Sequence, residues 1–355
     1  MKSIIQITLI LIKSLFLIFV LLSMANLTFE LMLKLRPHLS GSPHKQYINN
    51  PDFSGATGQR FLIDHSLDIF NKSQIHYLPS IGQAFDFTHA TSFEGTFEGR
   101  RVTPSKSLEN KQHQGIMLGA SQSWGYFAPN QHIVSQILMD ILGDVGVDNY
   151  SMLGLTVQQS TVYWQSVKNT LPRMDFVLEI GGVIDVYVHC YSEPSNFLER
   201  QFQTGLEQVY NKIKTKLFNE NESNINFCST ERQIQNVVRR IINDLEYMSF
   251  LAKKNNINFA IIIPPAPFMD GPNTKNLDRN PNFKKLKSIL GPVYNALDKE
   301  VYTLKDSNIV NLMHIFDDNE LYFLDYMGHL NKSGHRKLAE SIIESIGEDF
   351  FRSAP

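Results

Sequence analysis

Three residues in this 355-residue chain are of the types that together make a hydroxyl reactive: Ser121 in GIMLGASQSWGYFAPN, and Asp325 with His329 in FLDYMGHLNKSGHRKLAESI. A serine attacks poorly until a base takes its proton, and the base works best when a carboxylate orients it. The small apolar run GIMLG places Ser121 at the carboxyl end of a buried strand, where backbone N–H groups of the following turn can face an oxyanion. Asp325 precedes His329 by four residues, just ahead of an amphipathic run over residues 334–346. Two neighbours compete for the same roles. Ser123 lies two residues past Ser121, and His335 lies beside Arg336 and Lys337, which assign it to a solvated helix face.

The elements that must hold these residues alternate. GIMLG reads as a strand, followed by a helix with apolar residues Ile133, Val134, Ile137, Leu138, Ile141 and Leu142 at helical spacing. VDNYSML reads as a strand, residues 156–169 as a helix, and DFVLEIGG as a third strand. A long helix starts at Thr230 with Gln233 three residues on, the signature of a capping box. NFAIIIPPAP is a strand stopped by Pro264 and Pro265, SNIVNLMHIF is another, and residues 334–346 form the closing helix. Apolar strands separated by helices predict an α/β fold, three-layer α/β/α with a mostly parallel central sheet. Such a sheet binds ligands at the carboxyl ends of its strands. Residues 58–112, with irregularly spaced aromatics, read as a lead-in subregion or lid with short strands.

Composition removes several function classes. Lys plus Arg is 33 and Asp plus Glu is 35, a net charge of -2, so there is no basic field for nucleic acid. Cys190 and Cys228 form neither a disulfide framework nor a zinc-like spacing. The usual burial of free cysteine favours two buried thiols, with pairing the alternative for an exported chain. The N-terminal stretch MKSIIQITLILIKSLFLIFVLLSMANLTF carries only Lys2 and Lys13 as charges, and predicts either a cleaved signal peptide ending near Ala25 or an uncleaved anchor. Apolar residues continuing through Leu27, Phe29, Leu31 and Met32 favour the anchor. Either reading puts the remainder outside the cytoplasm, periplasmic or at the cell surface, or secreted if the segment is cut. The expected organisation is an anchor or signal over 1–35, a linker and lead-in over 36–112, and the main domain over 113–355.

The blocks GASQSWG, NYSMLG, GGVIDV and DYMGHLNKSGH, taken in order, resemble those of the SGNH (GDSL-like) hydrolase superfamily, in particular its membrane-anchored bacterial members. The resemblance implies a flavodoxin-like α/β/α fold and a serine esterase without metal or organic cofactor. It gives the nucleophile role to Ser121, the base to His329, its orienting acid to Asp325, and oxyanion donation to the N–H groups of Ser121 and Gly154. The implied substrate is an acyl ester, such as an O-acyl group on a cell-envelope or exported polysaccharide. Three departures stand out. Ile184 occupies the place of the family's third oxyanion donor, an Asn, with Gln122, Gln158 or an N–H near Gly182 as replacements. Ala120 replaces an Asp or Gly. One extra residue separates Asp325 from His329, which leaves Asp317 and Asp318 as alternative acids. The same residues also fit an acyltransferase, or, with Ile184 in a donor's place, a silent carbohydrate-binding or scaffold module.

Overall fold

The computed structural model describes Met24 and, with internal gaps, residues 60–352, the longest gap spanning 192–227. The expected anchor and linker lie outside the described residues, Met24 excepted. Among the described residues no helix is long and apolar enough to cross a membrane.

A hairpin of β1 (Gln74–Leu78) and β2 (Gly82–Asp86) precedes the central sheet. The sheet comprises β3 (His113–Gly119), β4 (Val145–Asn149), β5 (Phe176–Ile180), β6 (Asn258–Ile263) and β7 (Ile309–Asn311), in the order β4-β3-β5-β6-β7. Every pairing within it is parallel. All five residues of β5 are buried, as a strand covered on both faces requires. The described helices are α1 (Ser121–Trp124), α2 (Val134–Leu142), α3 (Val157–Val167), α4 (Val183–Tyr191), α5 (Glu231–Lys254), α6 (Pro281–Val301), α7 (Lys332–Ile346) and α8 (Asp349–Arg352). Helix α2 packs with α7, while α5 packs with α3, α4 and α6. After β3 the chain steps outward to β4, then returns over β3 to β5. That reversal opens a crevice between the carboxyl ends of β3 and β5, the place where open α/β sheets hold ligands.

Several expectations shift. The second strand is VGVDN rather than VDNYSML; it pairs from Val145 opposite His113, and Asn149 ends it by turning its side chain onto Ser123 O and Ser151 N. Helices α4 and α6 were not expected. Ile141, counted with the apolar stripe of α2, is exposed. Cys190 and Cys228 are joined in a disulfide rather than left as thiols. His335 is fully buried in α7, not on a solvated face, because the inward face of that helix runs Gly334, His335, Leu338, Ala339, Ile342.

The lead-in packs against α1, and none of its described residues lines the cleft described below. Ile69, Phe87 and Phe93 form a small second core with Trp124, Tyr126, Phe127 and Leu324. Fully buried Arg101 anchors this layer: Nη1 donates to Gly125 O at 2.8 Å and Nε to Asn130 Oδ1 at 3.0 Å. Burial alone brings its guanidinium down to about 9. Buried His65 accepts from Phe127 N through Nε2 at 3.2 Å and pairs with Ser92 Oγ through Nδ1.

Candidate active site

The serine turn begins where β3 stops. Gly119 has φ +134, and a Cβ there would stand 2.2 Å from Ile180 O and 2.5 Å from Ser123 Oγ, so only glycine lets the chain leave the sheet this tightly. Ala120 caps α1 without a side-chain bond, and the first backbone bond of the turn is Trp124 N to Ala120 O. The N–H groups of Ser121, Gln122 and Ser123 are therefore first-turn amides without a helical acceptor. Ser121 is partly exposed and lines the cleft. Ser123, the competing nucleophile, is fully buried and donates to Ala120 O at 2.9 Å.

Asp325 and His329 meet in a tight loop before α7. Asp325 Oδ1 accepts from Met327 N at 3.0 Å and His329 N at 3.3 Å, and Oδ2 lies 2.7 Å from His329 Nδ1. Both side chains are largely buried. Gly328, with a φ of +89, turns the chain between Asp325 and His329. The alternative acids have other partners: Asp317 sits 2.6 Å from His314 Nδ1, and Asp318 bonds Lys337 and Tyr322. The Tyr126 ring stacks on the His329 imidazole, centroids 3.8 Å apart at 20°, a contact the sequence did not single out. Among the described residues buried His335 has no partner for either ring nitrogen, and burial, reinforced by nearby Arg101, His132 and His329, pushes it down to about 3. It is a neutral core imidazole.

Gln122 connects the two halves. Its Nε2 donates to Gly328 O at 2.8 Å and Pro265 O at 3.2 Å, tying the serine turn to the histidine loop and to the loop after β6. Ser121 and His329 each stand one residue from this contact. No hydrogen bond joins their side chains among the described residues; such bonds are commonly long before substrate binds and tighten afterwards.

The expected oxyanion groups fare unequally. Gly154, in the β4–α3 connection, is exposed and does not line the cleft. Gln122 is held elsewhere, and Gln158 is exposed. Gly182 N donates to Asp185 Oδ2 at 3.2 Å, and Val157 N donates to Asp185 Oδ1 at 2.9 Å. Asp185 is thus a fully buried brace between α3 and α4, and burial, with Asp244 nearby, pushes its carboxyl up to about 7 against the pull of the two amides. Asp185, His189 and Asp244 can bring one ligand atom each within 4.8 Å of one another, but the Asp185 oxygens already serve backbone amides. Ile184 lines the cleft, and its side chain presents no donor.

No protein family matches the chain by sequence, and no curated protein matches it. Its fold is similar to several solved structures. The psychrotrophic esterase EstA from Pseudoalteromonas sp. shares 13% identity over 68% of this chain and 100% of its own, with TM-score 0.38. A lipolytic protein of the G-D-S-L family from Veillonella parvula shares 14% over 66% of this chain and 97% of its own, with TM-score 0.37. A variant of the acetyl xylan esterase Axe2 from Geobacillus stearothermophilus shares 13% over 69% of this chain and 98% of its own, with TM-score 0.36. These three structures are esterases or G-D-S-L lipolytic proteins.

Proposed function

We propose that this chain is a serine esterase acting outside the cytoplasm. The observation that carries the reading is the Asp325–His329 pair, held by Gln122 against the turn that presents Ser121 at the end of β3. In the proposed reaction Ser121 Oγ attacks the acyl carbonyl while His329 Nε2 takes its proton, with Nδ1–H directed at Asp325. The tetrahedral oxyanion is met by the N–H groups of the first turn of α1, that of Ser121 foremost. Collapse expels the alcohol, protonated by His329, and leaves Ser121 acylated. Water, activated by the same imidazole, then releases the acid.

Two features support the location. The apolar N-terminal sequence suits an anchor or signal, and the Cys190–Cys228 bond belongs to oxidising compartments. The alcohol half of the ester would remain at the mouth of the cleft, where an acylated envelope or exported polysaccharide can be reached without being enclosed. A fluorophosphonate probe tests the reading: the full-length chain takes the label and Ser121→Ala does not. Absence of label on the native chain, under conditions that label an active serine hydrolase, overturns it in favour of a silent binding module.

A further inference from the structure

We infer that the cleft beside Ser121 is an acyl-chain site and that the chain it takes is longer than acetyl. This rests on the esterase reading above and names the substrate class of the same site. The cleft, about 480 Å³ including its open mouth, runs from the Ser121 turn across the end of β5 to the loop after β6. Beyond Ser121 its walls include Val183, Ile184, Tyr187, Phe268, Tyr294 and Met327, and among the described residues no charged side chain lines it. Its inner end is deep: Tyr294 is 1% exposed and Phe268 4%.

Several polar groups around the cleft already have partners within the protein, and the amides left over lie at the serine turn, where the carbonyl must bind. Tyr294 Oη donates to Val183 O at 2.6 Å, Gly181 N to Ile262 O at 3.1 Å, Gly182 N to Asp185, and Gln122 Nε2 to two carbonyls. A sugar ring entering past the serine turn would press most of its hydroxyls against Val183, Ile184, Phe268 and Met327, which is unfavourable. A methylene chain would instead remove apolar surface from water on both sides of the contact. The acyl half therefore enters and the polar alcohol stays outside. Ile184, on the first turn of α4, adds a branched aliphatic wall where the resemblance expects an amide.

The test is the chain-length dependence of kcat/KM for p-nitrophenyl acetate, butanoate and hexanoate on the full-length chain. We expect a rise of about fourfold per methylene, roughly two-hundredfold over the four methylenes from acetate to hexanoate. Ile184→Trp fills the cleft and should abolish the rise; Ile184→Asn, smaller and polar, should flatten it and serves if the first variant does not fold. Preference for acetate, or an unchanged slope in both variants, overturns the inference while leaving the esterase reading intact, because hydrolysis and Ser121 labelling persist. If no ester is cleaved and no label is taken, the esterase reading fails instead. Calorimetric titration of Ser121→Ala with hexanamide and acetamide then decides the cleft separately. Tighter hexanamide binding with a negative heat-capacity change supports an apolar site, and equal binding of the two amides removes it.

Discussion

Asp325 uses its two oxygens differently, one to shape its own loop and one to face His329. Asp325→Asn can keep the first contact through its amide oxygen, but it turns an N–H₂ toward Nδ1 and favours the wrong imidazole tautomer. Turnover should fall on the order of 10³- to 10⁴-fold with the circular dichroism spectrum unchanged, and steady-state kinetics on an ester cleaved by the native chain reads this directly. Tyr126 belongs to the same scale: its ring covers one face of the imidazole, and burial, aided by Asp325, raises its phenol above the ordinary range, so it stays neutral beside the base.

At the scale of elements, the site is an agreement among three loops, and Gln122 is where they agree. Gln122→Ala leaves the carbonyls of Gly328 and Pro265 without their side-chain donor. We expect a loss of about 1–3 kcal/mol in urea unfolding and a lower kcat, since the His329 loop loses its tether to the serine turn. Much of this scale was legible beforehand. The capping box at Thr230 and Gln233 forms as its spacing suggests, and so does the strand that delivers Ser121. What stayed hidden has physical causes. Helix α6 carries Pro292 in its interior, which reads as a break, yet the helix runs through it. Helix α4 begins directly after Gly181 and Gly182, which read as the end of the strand DFVLEIGG although that strand stops at Ile180. His335 was obscured by its charged neighbours, although its spacing to Leu338, Ala339 and Ile342 marks the inward face. The pairing of Cys190 with Cys228 depends on two elements meeting in space, which a separation of 38 residues cannot disclose. The role of Gln122 likewise depends on loops more than a hundred residues away.

At the scale of the whole molecule, two buried features set how stability responds to conditions. Glu179, on β5 opposite Leu118, is fully buried with neither oxygen in a hydrogen bond of good geometry. Burial foremost, then Asp185, raises its carboxyl well above the ordinary 4.5, with the Ser160 hydroxyl opposing. Above that ordinary value the unfolded chain has released a proton that the folded chain still holds, so stability falls as pH rises. Glu179→Gln keeps a neutral side chain at this position in both states. Melting curves between about pH 5 and 8 should therefore slope downward more steeply for the native chain than for the variant. The disulfide acts through the other state, by restricting the unfolded chain. Its removal in Cys190→Ser with Cys228→Ser should lower stability by about 3–4 kcal/mol for a separation of 38 residues, measurable by denaturant unfolding of the oxidised protein.

The aromatic layer under α1 also fixes where this protein can be cut. A fragment starting at His113, where the central sheet begins, would strip Phe87, Phe93 and Arg101 from Trp124 and Phe127. Two large rings would then meet water, and Gly125 and Asn130 would lose the guanidinium that joins them. The shortest expression fragment able to carry its serine turn undisturbed has its boundary ahead of Phe61, so that His65 is retained with its stack of rings.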